Sequence, residues 1–291
     1  LGTGGIAMLI PPSSLGVLLG SLSGISIAGI LIAGAIPGLI MAVVHFSYVM
    51  IRCTLNPSLA PAYDMPETTF WERLKPTLIY VVPLLSLFLV VVGSILVGIA
   101  TPTESASLGT IGAVLAAACY RSLKWKDLWK AITETGKLTV MIYFIIAASL
   151  TFSQILSFSG ATAGLLSVIQ QIDPTPLVLL SSMMLLMLVM GCFMDPVSIM
   201  LITLPFFIPM AEQIHIDLIW FGVLMVIVLE MGLISPPVGV NVFVVKSIAE
   251  DVPMSEIFMG IMPFWLAMFV CMVILVAFPQ IALFLPNTMI N

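Results

Sequence analysis

Two stretches restrict this chain more than anything else in it. "AMLIPPSSL" (7–15) and "MGLISPPVGVN" (231–241) each place two consecutive prolines inside a long apolar run. Proline lacks an N–H, and its ring clashes with the carbonyl four residues back. It also pushes the preceding residue out of the helical region. Two in a row end a helix and free several carbonyls. Within hydrocarbon every unsatisfied backbone group costs several kcal/mol, so such a break survives only inside protein or beside a wet cavity.

The surroundings of both breaks have the composition of a membrane protein. Hydrophobic residues make up 61% of the 291 and charged residues 8%, against about 25% charged in soluble domains. Apolar segments run 1–24, 26–51, 76–98, 101–120, 138–157, 177–211, 217–248 and 255–285. Several exceed the ~18–20 residues that cross a bilayer. They are continuous rather than alternating, which excludes barrel strands. The fold class expected is an all-α polytopic membrane protein. The opening "LGTGGIAML" has neither a basic n-region nor a cleavage site, so it is not a signal peptide; it reads as a piece starting inside a helix. Basic residues are too sparse for nucleic-acid binding. Cys53, Cys119, Cys192 and Cys271 form no CxxC pair and read as packing or loop residues. His45 and His215 are isolated, with no metal-binding spacing.

Eight of the nine Lys and Arg fall in two polar stretches, 52–75 and 121–137. The positive-inside rule makes both cytoplasmic. The second, "RSLKWKDLWKAITETGK", groups Trp125, Leu128 and Trp129 and reads as an amphipathic stretch along the interface. The map that follows divides the chain into 1–51, the cytoplasmic loop 52–75, scaffold helices over 76–176, and a second half over 177–285. That second half holds a hairpin, 177–211, divided by "DP" at 195–196, and a broken helix, 217–248. The map gives the two Pro-Pro segments opposite directions. "AGAIPG" (33–38) and "MGIMPF" (259–264) follow them at similar distances. Weak internal similarity with opposite topology suggests an inverted-repeat secondary transporter with a re-entrant hairpin and broken helices.

At such breaks, freed carbonyls and hydroxyls make a hard-oxygen site for a small cation, and the next half-helix points its positive end at the same place. Candidates at the first break are Pro11, Pro12 and Ser13. At the second they are Ser235, Pro236, Pro237, Gly239 and Asn241, with Asp195 from the hairpin. The alternative is a kink whose serine satisfies the backbone. Asp195 stands open between a binding residue and a cap for the helix starting at Pro196. A wider set adds Thr101, Thr103, Glu104 and Glu230. Thr101 and Glu104 have capping-box spacing; Glu230, one turn before the second break, either steadies it or takes part in coupling. Glu212 sits in "EQIHID", a solvated outer loop.

Taken in order, "GGIAMLIPPSS", "GILIAGAIPGLIMA", "GIATPTESASLG", "GCFMDPVSIMLITLPFFIP" and "IDLIWFGVLMVIVLEMGLISPPVGVNVFVV" resemble the large membrane subunit (M subunit) of TRAP transporters, the tripartite ATP-independent periplasmic transporters. The motifs cover essentially the whole chain. The resemblance implies a bacterial or archaeal inner-membrane permease that imports organic acids such as C4-dicarboxylates or sialic acids. It implies Na+ as coupling ion and no other cofactor. The partners implied are a periplasmic substrate-binding protein and a small four-helix membrane subunit. The fold implied is of the elevator type, akin to the ion-transporter superfamily, with sodium at hairpin tips and helix breaks; carried over by position, the resemblance adds Gly191 beside Asp195 in the hairpin. Ser235 stands where the family usually has Thr, and the family's first hairpin, which would precede residue 1, is absent from this N-terminally truncated sequence. A sodium-coupled di- or tricarboxylate transporter without a binding protein is the alternative. An intramembrane aspartyl protease using Asp195 with Glu230 lacks the paired signatures, and a passive channel suits inverted broken helices poorly.

Overall fold

A computed structural model describes residues 3–59 and 69–288. Residues 1–2, the middle of the expected 52–75 loop (60–68) and 289–291 lie outside the described residues. The described chain is helical throughout: α1 (Ile6–Leu9), α2 (Ser14–Ser23), α3 (Ile27–Ala33), α4 (Ala35–Leu55), α5 (Phe70–Pro76), α6 (Val82–Leu96), α7 (Pro102–Cys119), α8 (Trp125–Ser159), α9 (Ala161–Ile172), α10 (Pro176–Gly191), α11 (Pro196–Gln213), α12 (Leu218–Leu233), α13 (Val240–Ile248), α14 (Met254–Ala277) and α15 (Gln280–Thr288). Five stretches are long and apolar enough to cross a membrane: Ile27–Leu55, Phe70–Leu96, Trp125–Ser159, Pro196–Gln213 and Met254–Ala277. The protein is an all-α polytopic membrane protein.

Short polar residues set several of the helix starts. Ser13, Ser26, Thr101, Asp195 and Asp217 each accept a hydrogen bond from a first-turn amide, which satisfies donors that a helix start leaves open. Between α5 and α6 a π-helical turn, Thr77–Val81, follows Pro76, where the proline has removed a donor from the ladder. α8 differs from the sequence expectation. The stretches 121–137 and 138–157 are one continuous 35-residue helix from Trp125, with no buried residue. Nothing between them breaks a helix. α9 is a helix that the sequence reading did not separate.

The chain forms two compact units, Leu1–Ala42 with Leu138–Asn287, and Val43–Lys137 with Thr288–Asn291. In the second, α6 and α7 pair as a hairpin. Ser94 and Ser105 Oγ lie 2.6 Å apart near the turn. At the other end Tyr80 stacks on Tyr120, whose hydroxyl donates to the Ile79 carbonyl. The start of α6 and the end of α7 therefore share one end of the hairpin, so the chain enters it from 52–75 and leaves it into 121–137 at that same end.

The first unit is built around α12. Every residue from Trp220 to Leu233 is buried; a helix apolar all round belongs in the centre of a bundle. Its most extensive packing is with α10, and α1, α2, α3, α11 and α14 also lie against it. Trp220 Nε1 at its start donates to the Leu275 carbonyl near the end of α14 (2.9 Å), while Ser235 beyond its end meets Trp265. α14 thus runs antiparallel to α12. The first broken helix, α1–α2, is antiparallel too. Gly5 lies against Glu230 and Gly222 against Leu19, with Leu9 and Ser13 beside Val223 and Val226 between these levels. As the chain advances from residue 5 to 19, its partners on α12 move back from 230 to 222. The first broken helix therefore runs opposite to the second.

Candidate functional site

Each break is closed by a serine. At the first, Ser13 Oγ donates to the Met8 carbonyl and accepts from the Gly16 amide at 3.0 Å, so one hydroxyl mends the end of α1 and caps α2. At the second, Ser235 Oγ donates to the Met231 carbonyl at 2.7 Å and accepts from Trp265 Nε1 at 2.7 Å. Ser13 and Ser235 are both buried. Both Pro–Pro bonds, 11–12 and 236–237, are cis. A hydroxyl has two lone pairs and one proton, so each serine retains one acceptor position while doing this work.

The breaks sit at different heights along α12. The first is level with Val223 and Val226; the second begins at Ser235, nine residues on, or about 14 Å at helical rise. They therefore form two separate candidate sites. Behind Ser13 lies a small cavity of about 10 Å³, lined by Met8, Leu9, Ser13, Gly16, Gly34 and Val226 among others. A Cβ on Gly34 would come 2.5 Å from the Leu9 carbonyl oxygen, so glycine alone lets the α3–α4 junction approach this freed carbonyl. On the outer side, Pro12, Ser13, Ser14, Ser21, Ile142 and Ile146 line an open groove of about 380 Å³.

The hairpin α10–α11 meets the second break. Gly191, the last residue of α10, packs directly on Gly232: a Cβ on Gly191 would come 2.7 Å from the Gly232 Cα. The Cys192 thiol donates to the carbonyls of Leu188 (3.4 Å) and Pro236 (3.2 Å). Gly239, φ +60°, turns the chain into α13 in the left-handed region, which an L side chain rarely adopts. Asn241 is half-buried in the first turn of α13.

The structure gives other candidates local work. Asp195 is exposed and caps α11, accepting from the Ser198 amide at 3.0 Å and from its hydroxyl. Thr101 and Glu104 complete a capping box: the Thr101 amide and hydroxyl both donate to Glu104 Oε2 at 2.8 Å. These two, with Thr103, belong to the second compact unit. Glu230 faces α1 across Gly5.

Sequence reasoning missed Trp265, Cys192 and Gly232 as parts of the second site. Gly232 lies within the opening motif, and two glycines on facing helices mark a close approach. Cys192 reads as packing from sequence because a lone cysteine has no partner signature. Trp265 has no local signal at all, since its partner is 30 residues away.

The model of the tripartite ATP-independent periplasmic transporter family, DctM component, matches residues 2–281. The chain is 32% identical to a C4-dicarboxylate TRAP transporter large permease protein of Pseudomonas aeruginosa, covering 98% of this chain and 65% of the relative. It is 30% identical to an ectoine TRAP transporter large permease protein of Halomonas elongata, covering 96% and 64%. With a sialic acid TRAP transporter permease protein of Haemophilus influenzae it shares 29% identity, over 98% and 46%. The chain thus spans between about half and two thirds of the length of these relatives. With the family model matched over residues 2–281, the chain belongs to the DctM component family of tripartite ATP-independent periplasmic transporters and is a multi-pass inner-membrane protein.

Proposed function

We propose that this chain forms the greater part of the permease of a sodium-coupled importer of organic acids, supplied by a periplasmic substrate-binding protein and accompanied by a small four-helix membrane subunit. The observation that carries this reading is the pair of opposed, serine-mended breaks around α12. Each brings backbone carbonyls and one spare hydroxyl lone pair together, the kind of oxygen ligand a desolvated hard cation takes. At the first break the donors are the backbone at Pro11 and Pro12 and the Ser13 hydroxyl, beside a cavity of about 10 Å³. At the second they come from Ser235, Pro236, Pro237, Gly239 and Asn241, steadied by Gly191, while Asp195 orders the hairpin tip. The groove walled by Ser14 and the first turn of α2 suits a carboxylate, because the start of that helix faces it. Relatives are named for C4-dicarboxylate and sialic acid, both carboxylates. Transport would proceed by an elevator movement of the unit carrying the breaks.

The tripartite family favours the binding-protein-dependent reading over a stand-alone di- or tricarboxylate transporter. The test is uptake of a labelled C4-dicarboxylate, and separately of sialic acid, by the full-length permease reconstituted with its small subunit and binding protein. Uptake should need both an inward sodium gradient and the binding protein. Uptake indifferent to the gradient would refute sodium coupling, and uptake without the binding protein would favour the stand-alone mechanism.

A further inference from the structure

Glu230 lies one turn before the second break, yet its side chain addresses the first broken helix. Val223, Val226 and Glu230 repeat at helical spacing on one face of α12, and α1 and the start of α2 lie against that face. A Cβ on Gly5 would come 2.6 Å from Glu230 Cγ and 3.2 Å from Glu230 Oε1 and from Met268 Cε. Glycine at position 5 is therefore what lets the chain entering α1 close over the carboxyl. The result is a glutamate 3% exposed, with Oε2 buried and without a hydrogen-bond partner among the described residues.

Among the described residues, no positively charged side chain is placed to meet it. α1, α2 and α3 carry no titratable side chain. At the end of α10, Cys192 is engaged with the Leu188 and Pro236 carbonyls. α11 brings Asp195 at its cap and Glu212 near its far end, both exposed acids. On α13, Lys246 gives its ammonium to the carbonyls of Glu250 and Val252. α14 brings Glu256, exposed, and Cys271, a buried thiol one turn from Met268. Nor is there a ligand set for a metal ion: the described residues contain no group of three His, Cys, Asp or Glu side chains. The nearby carbonyls of Thr3, Gly4 and Gly5 already accept from Ile6, Ala7 and Met8. A charged carboxylate enclosed in apolar protein needs a counter-charge or several donors, and the described side chains around it supply neither.

We propose that Glu230 is a proton-binding site, holding a proton while α1 is packed on α12 and releasing it to water when α1 moves away. Binding takes one proton from water and turns the carboxylate into a neutral acid; release is the reverse, with no other reactant. The site is distinct from the cation positions at the breaks and does not depend on which ion drives transport. It makes the packing of α1, which leads directly into the first break, sensitive to protonation. Acid favours the closed contact, and alkali favours separation, because ionised Glu230 must be hydrated.

Infrared spectroscopy of the full-length permease in lipid tests this. At neutral pH the wild type should show the C=O stretch of one protonated carboxyl group, exchanging slowly in D2O, and Glu230→Gln should remove it. A wild-type spectrum with no protonated carboxyl overturns the proposal, whether or not the variant folds. A band that persists in Glu230→Gln belongs to another acid and overturns it equally. Thermal stability supplies a second readout. The wild-type melting temperature should fall as pH rises by more than that of Glu230→Gln, and parallel pH dependences would count against the site. Neither readout involves transport, so the coupling mechanism proposed above stands or falls separately.

Discussion

Replacing Gly191 by Ala should destabilise the protein by forcing α10 away from α12. The added Cβ would sit 2.7 Å from the Gly232 Cα, and ordinary contact begins at about 3.4 Å, so the two backbones must separate by at least 0.7 Å. The obstructing atom is backbone and cannot swing aside. Met183, Met184 and Met187 of α10 are all buried and would lose contact together. A gap of this size forfeits a quarter to a half of each atom pair's attraction, and a buried side chain makes about 50 such contacts at 0.1–0.2 kcal/mol. Losing a quarter over one side chain's worth of contacts costs about 1–2.5 kcal/mol, the usual range for an overpacked core. Gly164→Ala is the matched control. Gly164 lies within α9 with nothing within 4 Å of an added Cβ, so the change should stabilise by about 0.5–1 kcal/mol through helix propensity alone. Melting of the full-length permease in detergent, followed by loss of its monodisperse peak, should place Gly191→Ala several degrees below wild type, at about 2–4 °C per kcal/mol. Gly164→Ala should fall at or above it. The double variant Gly191→Ala/Gly232→Ala should cost less than the sum of the singles, because one separation accommodates both methyls. If Gly191→Ala melts at or above wild type, the close crossing of these helices is wrong.

Three further outcomes follow from the geometry. Trp265→Phe removes the indole donor to Ser235 together with one ring of packing, and should cost at least about 1 kcal/mol; Ser235→Ala loses that bond and the patch on the Met231 carbonyl, and should also weaken the sodium dependence of uptake, so an unchanged sodium response would remove the hydroxyl from the cation site. Asp195→Asn should stay close to wild-type stability, because asparagine caps a helix as well as aspartate, whereas Asp195→Ala should lose about 1 kcal/mol; equal losses in the two variants would show that the charge matters and not the cap. A cysteine replacing Lys126 should react with an impermeant thiol reagent only from the cytoplasmic side, and labelling from the periplasm would reverse the map drawn from the basic residues.

Much of this protein is legible in its sequence because the relevant signals are local. The Pro-Pro breaks follow from the missing N–H and the ring clash. The capping box at Thr101 and Glu104 and the cap at Asp195 follow from contacts spanning three residues, and the structure realises both. Apolar run length determined the membrane class, and ordered motifs identified the family. The opposite direction of the two broken helices was also within reach, because the basic loops assign a side to each crossing; in the structure the first broken helix meets α12 from Glu230 back to Gly222 as it advances.

What the sequence left open is which way each helix faces. A surface helix announces its buried side by the contrast between apolar and polar residues. α12, apolar on every side, offers no such contrast, so nothing in "LIWFGVLMVIVLEMGL" shows that Glu230 turns toward α1 while Gly232 turns toward α10. The Trp265–Ser235 bond, the Cys192 contact with Pro236 and the closure of Gly5 over Glu230 join residues 30, 44 and 225 positions apart. Each depends on the rotation of one helix against another, fixed only by simultaneous packing of all the helices around α12. Sequence alone therefore determined where the backbone breaks and what caps it; tertiary packing decided which groups meet at each break and which acid is sealed away from water.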